Sequence, residues 1–552
     1  MVSHSETLTP GLVREAVAYD RLAWMRPLVQ AVTHRFDTVA RLFAGAPADP
    51  EAWRAVIGRL AAAPRDRDAA ATVIQAQLAR RNAPTAAQGA AADLALPDAI
   101  AIVTGQQAGL FGGPLYTLLK AVTTIQIARR AREQYGVPAV PVFWVDGDDH
   151  DWEEIRTSHL LDRQGAPQAI AAMDVPGAGR LPVNALRFDA SIEATVDALA
   201  AALQPTEFTA DLVARLKARF RPGQSPAAAC AGWLDDLLGP EGLVVFEPWD
   251  PAAKRLAGGV FVRELAEPCA SARAVQDAAQ LMESLGHAPQ IVPADDVVCL
   301  FRITEDGRLP VRCREGRVTV GDEETSLDAL RREVEEHPER FSPNVLLRPL
   351  VQDTIFPTAC YVAGPAELAY HAQLGRLYDL FGIVRPLVAP RASATLLDGA
   401  AVRFLERTGL PFEELQAQDD TVLNRLLADS LPPTVESTFG EIETWLAGIA
   451  PKLTEASAAV DPTLAGAAET TVTRMRETVQ VLQGKILQAA KKKDETLRRQ
   501  FTRTRALLFP DGHPQERRLN IAFFLNRYGP DLGSRLIDSL PVDASAHYLL
   551  LP

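Results

Sequence analysis

Cysteine is scarce in this sequence, with five residues in 552 and no CxxC pair. Cys230, Cys269, Cys299, Cys313 and Cys360 are scattered, and an odd number at such spacings argues against a disulfide framework. No zinc site is expected either, which leaves reduced, buried or incidental thiols. Long apolar runs are also missing. None approaches the roughly 18 residues of a spanning helix, so no membrane partner is expected. The opening "MVSHSETLTP" has no basic segment with an apolar one behind it, so no secretory leader is read there and a cytoplasmic chain is expected. Basic excess is absent too. A net charge of -13 and a pI near 5.3 argue against duplex nucleic acid as the main partner. A local basic pocket for a small anion is still allowed.

What is present is ordinary soluble-protein material, 47% hydrophobic and 23% charged. The length suggests roughly two to four domains. The first hundred residues read mostly as helix, including "GLVREAVAYDRLAWMRPLVQAVTHRF", and end in the Ala-rich "RNAPTAAQGAAADLALPDA", read as a helix end and linker. "AIAIVTG" then reads as a buried strand. It is followed by a helix that begins near Pro114 and stops at Gly136, and by the buried strand "VPAVPVFWV". This is a parallel βαβ unit. Further strands are "EGLVVFEP", "FPTACYVAG" and "GIVRPLVAP". The fold class expected is α/β: a Rossmann-like, doubly wound parallel sheet interrupted by two insertions, with a C-terminal helical coiled-coil domain. The expected boundaries are helices and first core segment at 1–157, a mainly helical insertion at 158–238 and core again at 239–286. A small antiparallel insertion at 287–340 precedes core completion at 341–397. The coiled coil takes 398–510, and a closing segment at 511–552 packs on the core. In the coiled coil, Val472, Met475, Val479, Leu482, Ile486 and Ala489 alternate three and four apart as an apolar seam. The Lys491–Lys493 run beyond it reads as a solvated helix face.

Three stretches could carry chemistry. "TGQQAGLFGGP" is neither GxGxxG nor a P-loop, yet Gly105, Gly109, Gly112 and Gly113 allow close backbone approach. The helix behind them offers an anion its N-terminus, and Gln106 and Gln107 could bond a ligand. "GDDHDWEE" ends the next strand, where Asp146, Asp148, Asp149, His150 and Asp151 allow a substrate-amine wall, a metal site or a plain turn. Residues consecutive at a strand end diverge too much to surround a hard cation together, so the substrate wall is preferred and no metal is assigned. In the third stretch, Asn344, Arg348 and Gln352 are spaced for one helical face. Gly364, Glu367 and Tyr370 lie on a second strand-to-helix turn, and Arg391 ends a strand as a candidate anion clamp. Glu367 and His371 have metal-ligand spacing but no third partner.

Taken together and in order, "VTGQQAGLFGGPLYTLLKA", "PVFWVDGDDHDWEEI", "NVLLRPLVQDTIFPTACYVAGPAELAYHAQL", "VAPRAS" and the final "HYLLLP" resemble one family, the bacillithiol biosynthesis cysteine-adding enzymes. Asp148 departs from the Glu expected in "GEDHD". The resemblance implies a ligase that joins cysteine to glucosaminyl-malate through an amide, the last step to bacillithiol. It also implies a homodimer made by the coiled coil, and a core similar to that of cysteinyl-tRNA synthetases. "GGPL" and "PRAS" would then stand where those enzymes carry HIGH and KMSKS, neither of which occurs here. Activation implies ATP or ADP with magnesium as the accompanying nucleotide. On this reading His150 is the base, Asp148, Asp149 and Asp151 hold the amine or sugar hydroxyls, and Arg348 and Arg391 neutralise charge. Two other readings stay open: a dimer that binds nucleotide without catalysis, and a ligase for another amino sugar.

Overall fold

The structure, a computed structural model, describes residues 12–428 and 433–552, and their side chains except at 428, 433, 435, 436 and 487–494. It divides into a body, Met1–Leu397 with Pro514–Pro552, and a second unit, Asp398–His513.

The body is organised on five parallel strands: β1 (Ile100–Gln107), β2 (Ala139–Asp146), β3 (Val244–Phe246), β4 (Thr358–Ala363) and β5 (Leu387–Pro390). Their spatial order is β5-β4-β1-β2-β3, with every pairing parallel. The chain therefore builds outward from β1 on one side, then crosses back to add β4 and β5 on the other. The switch lies between β1 and β4, and ligands of open α/β sheets bind outside the carboxyl ends of strands at such a point. Burial explains the sequence pattern: β1 and β2 are covered on both faces, so they read as continuous apolar runs without alternation. Ile100, Ile102, Val362 and Leu387 pack in one cluster with Trp53, Val56 and Leu60 of the helix Pro50–Ala62 and with Ile127 of α1 (Leu115–Tyr135). That helix ends at Gly136, whose φ of 66° closes its last turn.

The first insertion opens with the hairpin Thr157–Leu161/Pro167–Ala171 and continues as helices. The second carries an antiparallel meander through Val297–Ile303, Arg308–Arg314, Arg317–Val320 and Glu323–Thr325, to which Phe341–Pro343 adds a fifth strand. One expectation is corrected at the start of the chain. Val13–Val17, read as helix, is a strand paired antiparallel with His547–Leu550, which also pairs in parallel with Ser393–Leu396. The partner lies over 500 residues away, so periodicity could not reveal it, and after one 3-10 turn at Tyr19–Arg21 the α-helix begins only at Pro27. The Ala-rich linker is likewise helical, at Thr85–Asp93.

The second unit is dominated by α4 (Pro433–Val460) and α5 (Ala465–Leu508), packed on one another and joined through a turn at Asp461, which accepts a 2.8 Å bond from the Thr463 N–H. The longer helix has 44 residues, about 66 Å at 1.5 Å per residue. Of the apolar seam, Val472 is buried, whereas Met475 is 43% and Leu482 53% exposed. Ala489 and the Lys491–Lys493 run lie outside the described side chains. Two further helices, α2 (Arg348–Ile355) and α3 (Pro365–Ala372), belong to the body and shape its cavity.

Candidate functional site

At the switch point lies a cavity of about 600 Å³. Backbone fit sets its floor: a Cβ on Gly105 would come within 2.9 Å of the Trp144 carbonyl, so glycine lets β1 and β2 close here. Beside it Lys120, on α1 and almost fully buried, donates to Gly105 O (2.6 Å) and Gln106 Oε1 (3.0 Å) and pairs with Glu367 at 2.5 Å. Burial pulls the Lys120 pKa down, and Glu367 opposes that. Glu367 also accepts from the Gly364 N–H (2.7 Å) and the Tyr361 hydroxyl (2.8 Å), which fixes the start of α3. The i, i+4 pair Glu367/His371 is thus divided. Glu367 faces the cavity, and His371 is sealed between Tyr361 and Tyr370. Among the described residues no three His, Cys, Asp or Glu side chains group as metal ligands.

Arg348 opens α2 and donates to Gln352 Oε1 (3.0 Å) and to the hydroxyls of Tyr370 (3.1 Å) and Tyr361 (3.4 Å). Burial works against its charge, but Tyr361, Tyr370 and Asp146 more than offset that and raise its pKa. Gln352 is wholly buried behind it and passes a bond to Asp353 rather than reaching the cavity. Asn344 lines the cavity but precedes the helix, where its side chain accepts from the N–H groups of Leu346 and Leu347. The expected single helical face therefore joins Arg348 and Gln352 only.

The acidic strand end adds to the lining, and its members differ. Burial pushes the Asp146 carboxyl up to about 6, with Asp149 adding to the rise and Arg348 opposing it. Asp148 is buried and ion-paired with Lys254, which also donates to Phe341 O at 3.0 Å. Asp149 accepts from Gln107 Nε2 (2.8 Å) and Arg308 (3.3 Å). His150 stands beside it, with Nδ1 3.4 Å from the same arginine. Nδ1 also lies 3.5 Å from Asp149 Oδ1, so a proton on Nδ1 is held by that carboxylate and Nε2 is left free to accept one. Asp151 is exposed, lies outside the cavity and caps the short helix Trp152–Ile155 through the Glu154 N–H (3.1 Å).

At β5, Arg391 lines the cavity but is not a free anion clamp. Its guanidinium binds Glu516 bidentately (2.8 and 3.0 Å), both side chains being buried, and lies 5.5 Å from the Tyr116 ring. Gly109 and Gly113 border a neighbouring cavity instead, and Gly112, with φ 92°, packs on Trp233 where a Cβ would clash.

Lys120, Lys254, Arg308 and Glu516 escaped the sequence reading. Each sits inside a helix, an insertion or the closing segment, away from the carboxyl end of any strand, and no local signal marks it. Two polar atoms on the cavity wall, Gln107 Oε1 and Trp144 Nε1, are buried without a hydrogen-bond partner. Buried polar groups are rarely left so unless a ligand or water meets them.

An open parallel sheet with a polar, ligand-sized cavity at its switch point, plus a separate unit of long paired helices, defines a Rossmann-like protein with a coiled-coil domain. Two family models narrow this: the N-terminal Rossmann-like domain of bacillithiol biosynthesis BshC matches residues 15–392, and its C-terminal coiled-coil domain matches 394–551. The chain belongs to this family. Among its relatives, the "Putative cysteine ligase BshC" of Salinibacter ruber is 34% identical, covering 93% of this chain and 94% of its own. Proteins of the same name from Koribacter versatilis (34%, 80% and 82%) and Chlorobaculum tepidum (33%, 82% and 83%) are also similar.

Proposed function

We propose that the protein is a carbon–nitrogen ligase that joins the carboxyl carbon of cysteine to the amine of glucosaminyl-malate, the last step of bacillithiol synthesis. The observation that carries this reading is the meeting of an acidic and a cationic group in one cavity. Asp146, Asp149 and His150 line it together with the Lys120–Glu367 pair and Arg348. An amine nucleophile needs an anionic wall to bind it and a base to strip its proton. An acyl electrophile needs fixed cations where negative charge develops.

In this arrangement Asp146 and Asp149 hold the ammonium, and His150 takes its proton. Arg308 and Asp149 orient the imidazole. Arg348 and Lys120, held by the tyrosines and Glu367, stabilise charge on the acyl oxygen. Gln107 Oε1 and Trp144 Nε1 take up sugar hydroxyls. ATP would supply the activation that a free carboxylate lacks. The partnerless donor and acceptor suit a polar ligand of this kind, and magnesium would arrive on phosphates and water rather than in a protein cage. The anionic end of the ligand lies toward the β1–α1 turn.

Dimerisation belongs to the same proposal. Met475 and Leu482 expose an apolar stripe on α5, as a seam awaiting a second copy would. Light scattering of a Met475→Lys/Leu482→Lys variant should then give a monomer, and an unchanged dimer would place the interface elsewhere.

The deciding experiment incubates the protein with cysteine and glucosaminyl-malate, with and without ATP–Mg, and looks for bacillithiol by mass spectrometry. Product only with ATP supports the full reading, and product without it assigns activation to another source. No product in either arm sinks the ligase reading.

A further inference from the structure

Beyond the partition made by Gln106 and Tyr116 is a second cavity, of about 490 Å³. Its floor is the Gly109–Gly113 loop and the first turn of α1. Its far wall is the strand Thr157–His159, and Arg517 and Arg518 stand at its edge. Two residues on its lining, Thr117 and Ser158, are about 1% exposed, and neither hydroxyl, Thr117 Oγ1 or Ser158 Oγ, has a hydrogen-bond partner. They come from different elements, a helix and an insertion hairpin, so the orphaning is not one local distortion. A buried hydroxyl without a partner is less stable than a satisfied one, and two beside one cavity point to a ligand that satisfies both.

The charges around them favour an anion. The helix start contributes its partial positive end, although the amides of Leu115 and Thr117 are already used by Leu519 O and Pro114 O. Arg517 lines both cavities and makes no ion pair among the described residues. On the acid side, Glu153 is paired with Arg156 at 3.0 Å. Burial and Asp151 push the Glu154 carboxyl up, which reduces its opposition. Asn520 is spent on the fold: it donates to Leu110 O and accepts from the Ala522 N–H.

We propose that this second cavity is an oxyanion subsite in which Thr117 Oγ1, Ser158 Oγ and Arg517 bind a carboxylate or phosphate group. As the seat of the acid end of a ligase substrate it rests on the function proposed above. As a binding site it rests on its own geometry. Arg517, Gln106 and Tyr116 border both cavities, so one ligand can reach from the oxyanion subsite to the acidic wall.

The test is calorimetric titration of the full chain with L-malate and, separately, with inorganic phosphate. Wild type is compared with Thr117→Val/Ser158→Ala and with Arg517→Gln. Saturable binding of at least one anion is expected, weakened at least tenfold in the hydroxyl variant and several-fold in Arg517→Gln, with circular dichroism unchanged. Malate alone binding assigns a carboxylate, phosphate alone a nucleotide phosphate, and both a general oxyanion site. If the hydroxyl variant fails to fold, exposed Arg517 carries the test by itself. Binding of neither anion, or variants that bind like wild type, overturns the subsite. Failure of the ligase reading looks different: hydroxyl-dependent anion binding persists while no bacillithiol forms.

Discussion

Charge is used in opposite ways in the body and in the helical unit. In the body, Lys120, Lys254, Arg348 and Arg391 are all nearly buried, and each has a fixed partner on another element of the fold. In the helical unit, pairs such as Arg476–Glu443 at 3.3 Å join side chains 41% and 44% exposed, and it is apolar groups that lie open to solvent. A buried charge without its partner costs several kcal/mol, whereas an exposed pair contributes about 0–1 kcal/mol. The body is therefore intolerant of single polar changes and the helical unit is not.

The sharpest test of that contrast is at the acidic wall. His150→Ala should lower turnover by about 10²–10⁴-fold, as loss of a general base does, with the melting temperature kept because the side chain is part-exposed. A fully active variant would remove His150 as the base. Next comes Glu516→Ala, which strands Arg391 and should cost about 3–5 kcal/mol in denaturant unfolding. A loss under about 1 kcal/mol would erase the distinction between the two regions.

Asp146→Asn acts through pH. The folded carboxyl titrates near 6, above its ordinary value of 3.8, so ionising it works against the fold as pH rises through that window. The variant should gain stability relative to wild type at pH 7 and show no gain below about 4. It should also lack the fall in activity expected of wild type as pH drops through about 6. An unaltered acid limb would assign that limb to another group. The smallest effect is expected from Arg476→Ala, within about 1 kcal/mol, and a larger loss would mean that the helical unit depends on its charges after all.

Legibility in the sequence followed the same divide between local and distant causes. β1, β2 and α1 could be read because each is a single uninterrupted signal, apolar runs closed by Gly105 and Asp146 and a helix bounded by Pro114 and Gly136. Gly364, Glu367 and Tyr370 fell on the cavity because strand-to-helix turns at a switch point must face it. Arg308 and Glu516 could not be found this way. Arg308 reaches Asp149 across 159 residues from inside an insertion, and Glu516 reaches Arg391 across 125. The same limit explains why Asp148 and Arg391, chosen for their positions, turn out to be committed to internal partners that the sequence does not display.

The strand His547–Leu550 lies between Val13–Val17 and Ser393–Leu396, so two segments made far apart in translation share a neighbour made well after both. Until those residues are made, the segment around Arg391 lacks both that strand and Glu516. The body therefore cannot mature strictly from its N-terminus forward, and its smaller sheet closes only after residues 516–550 have been added.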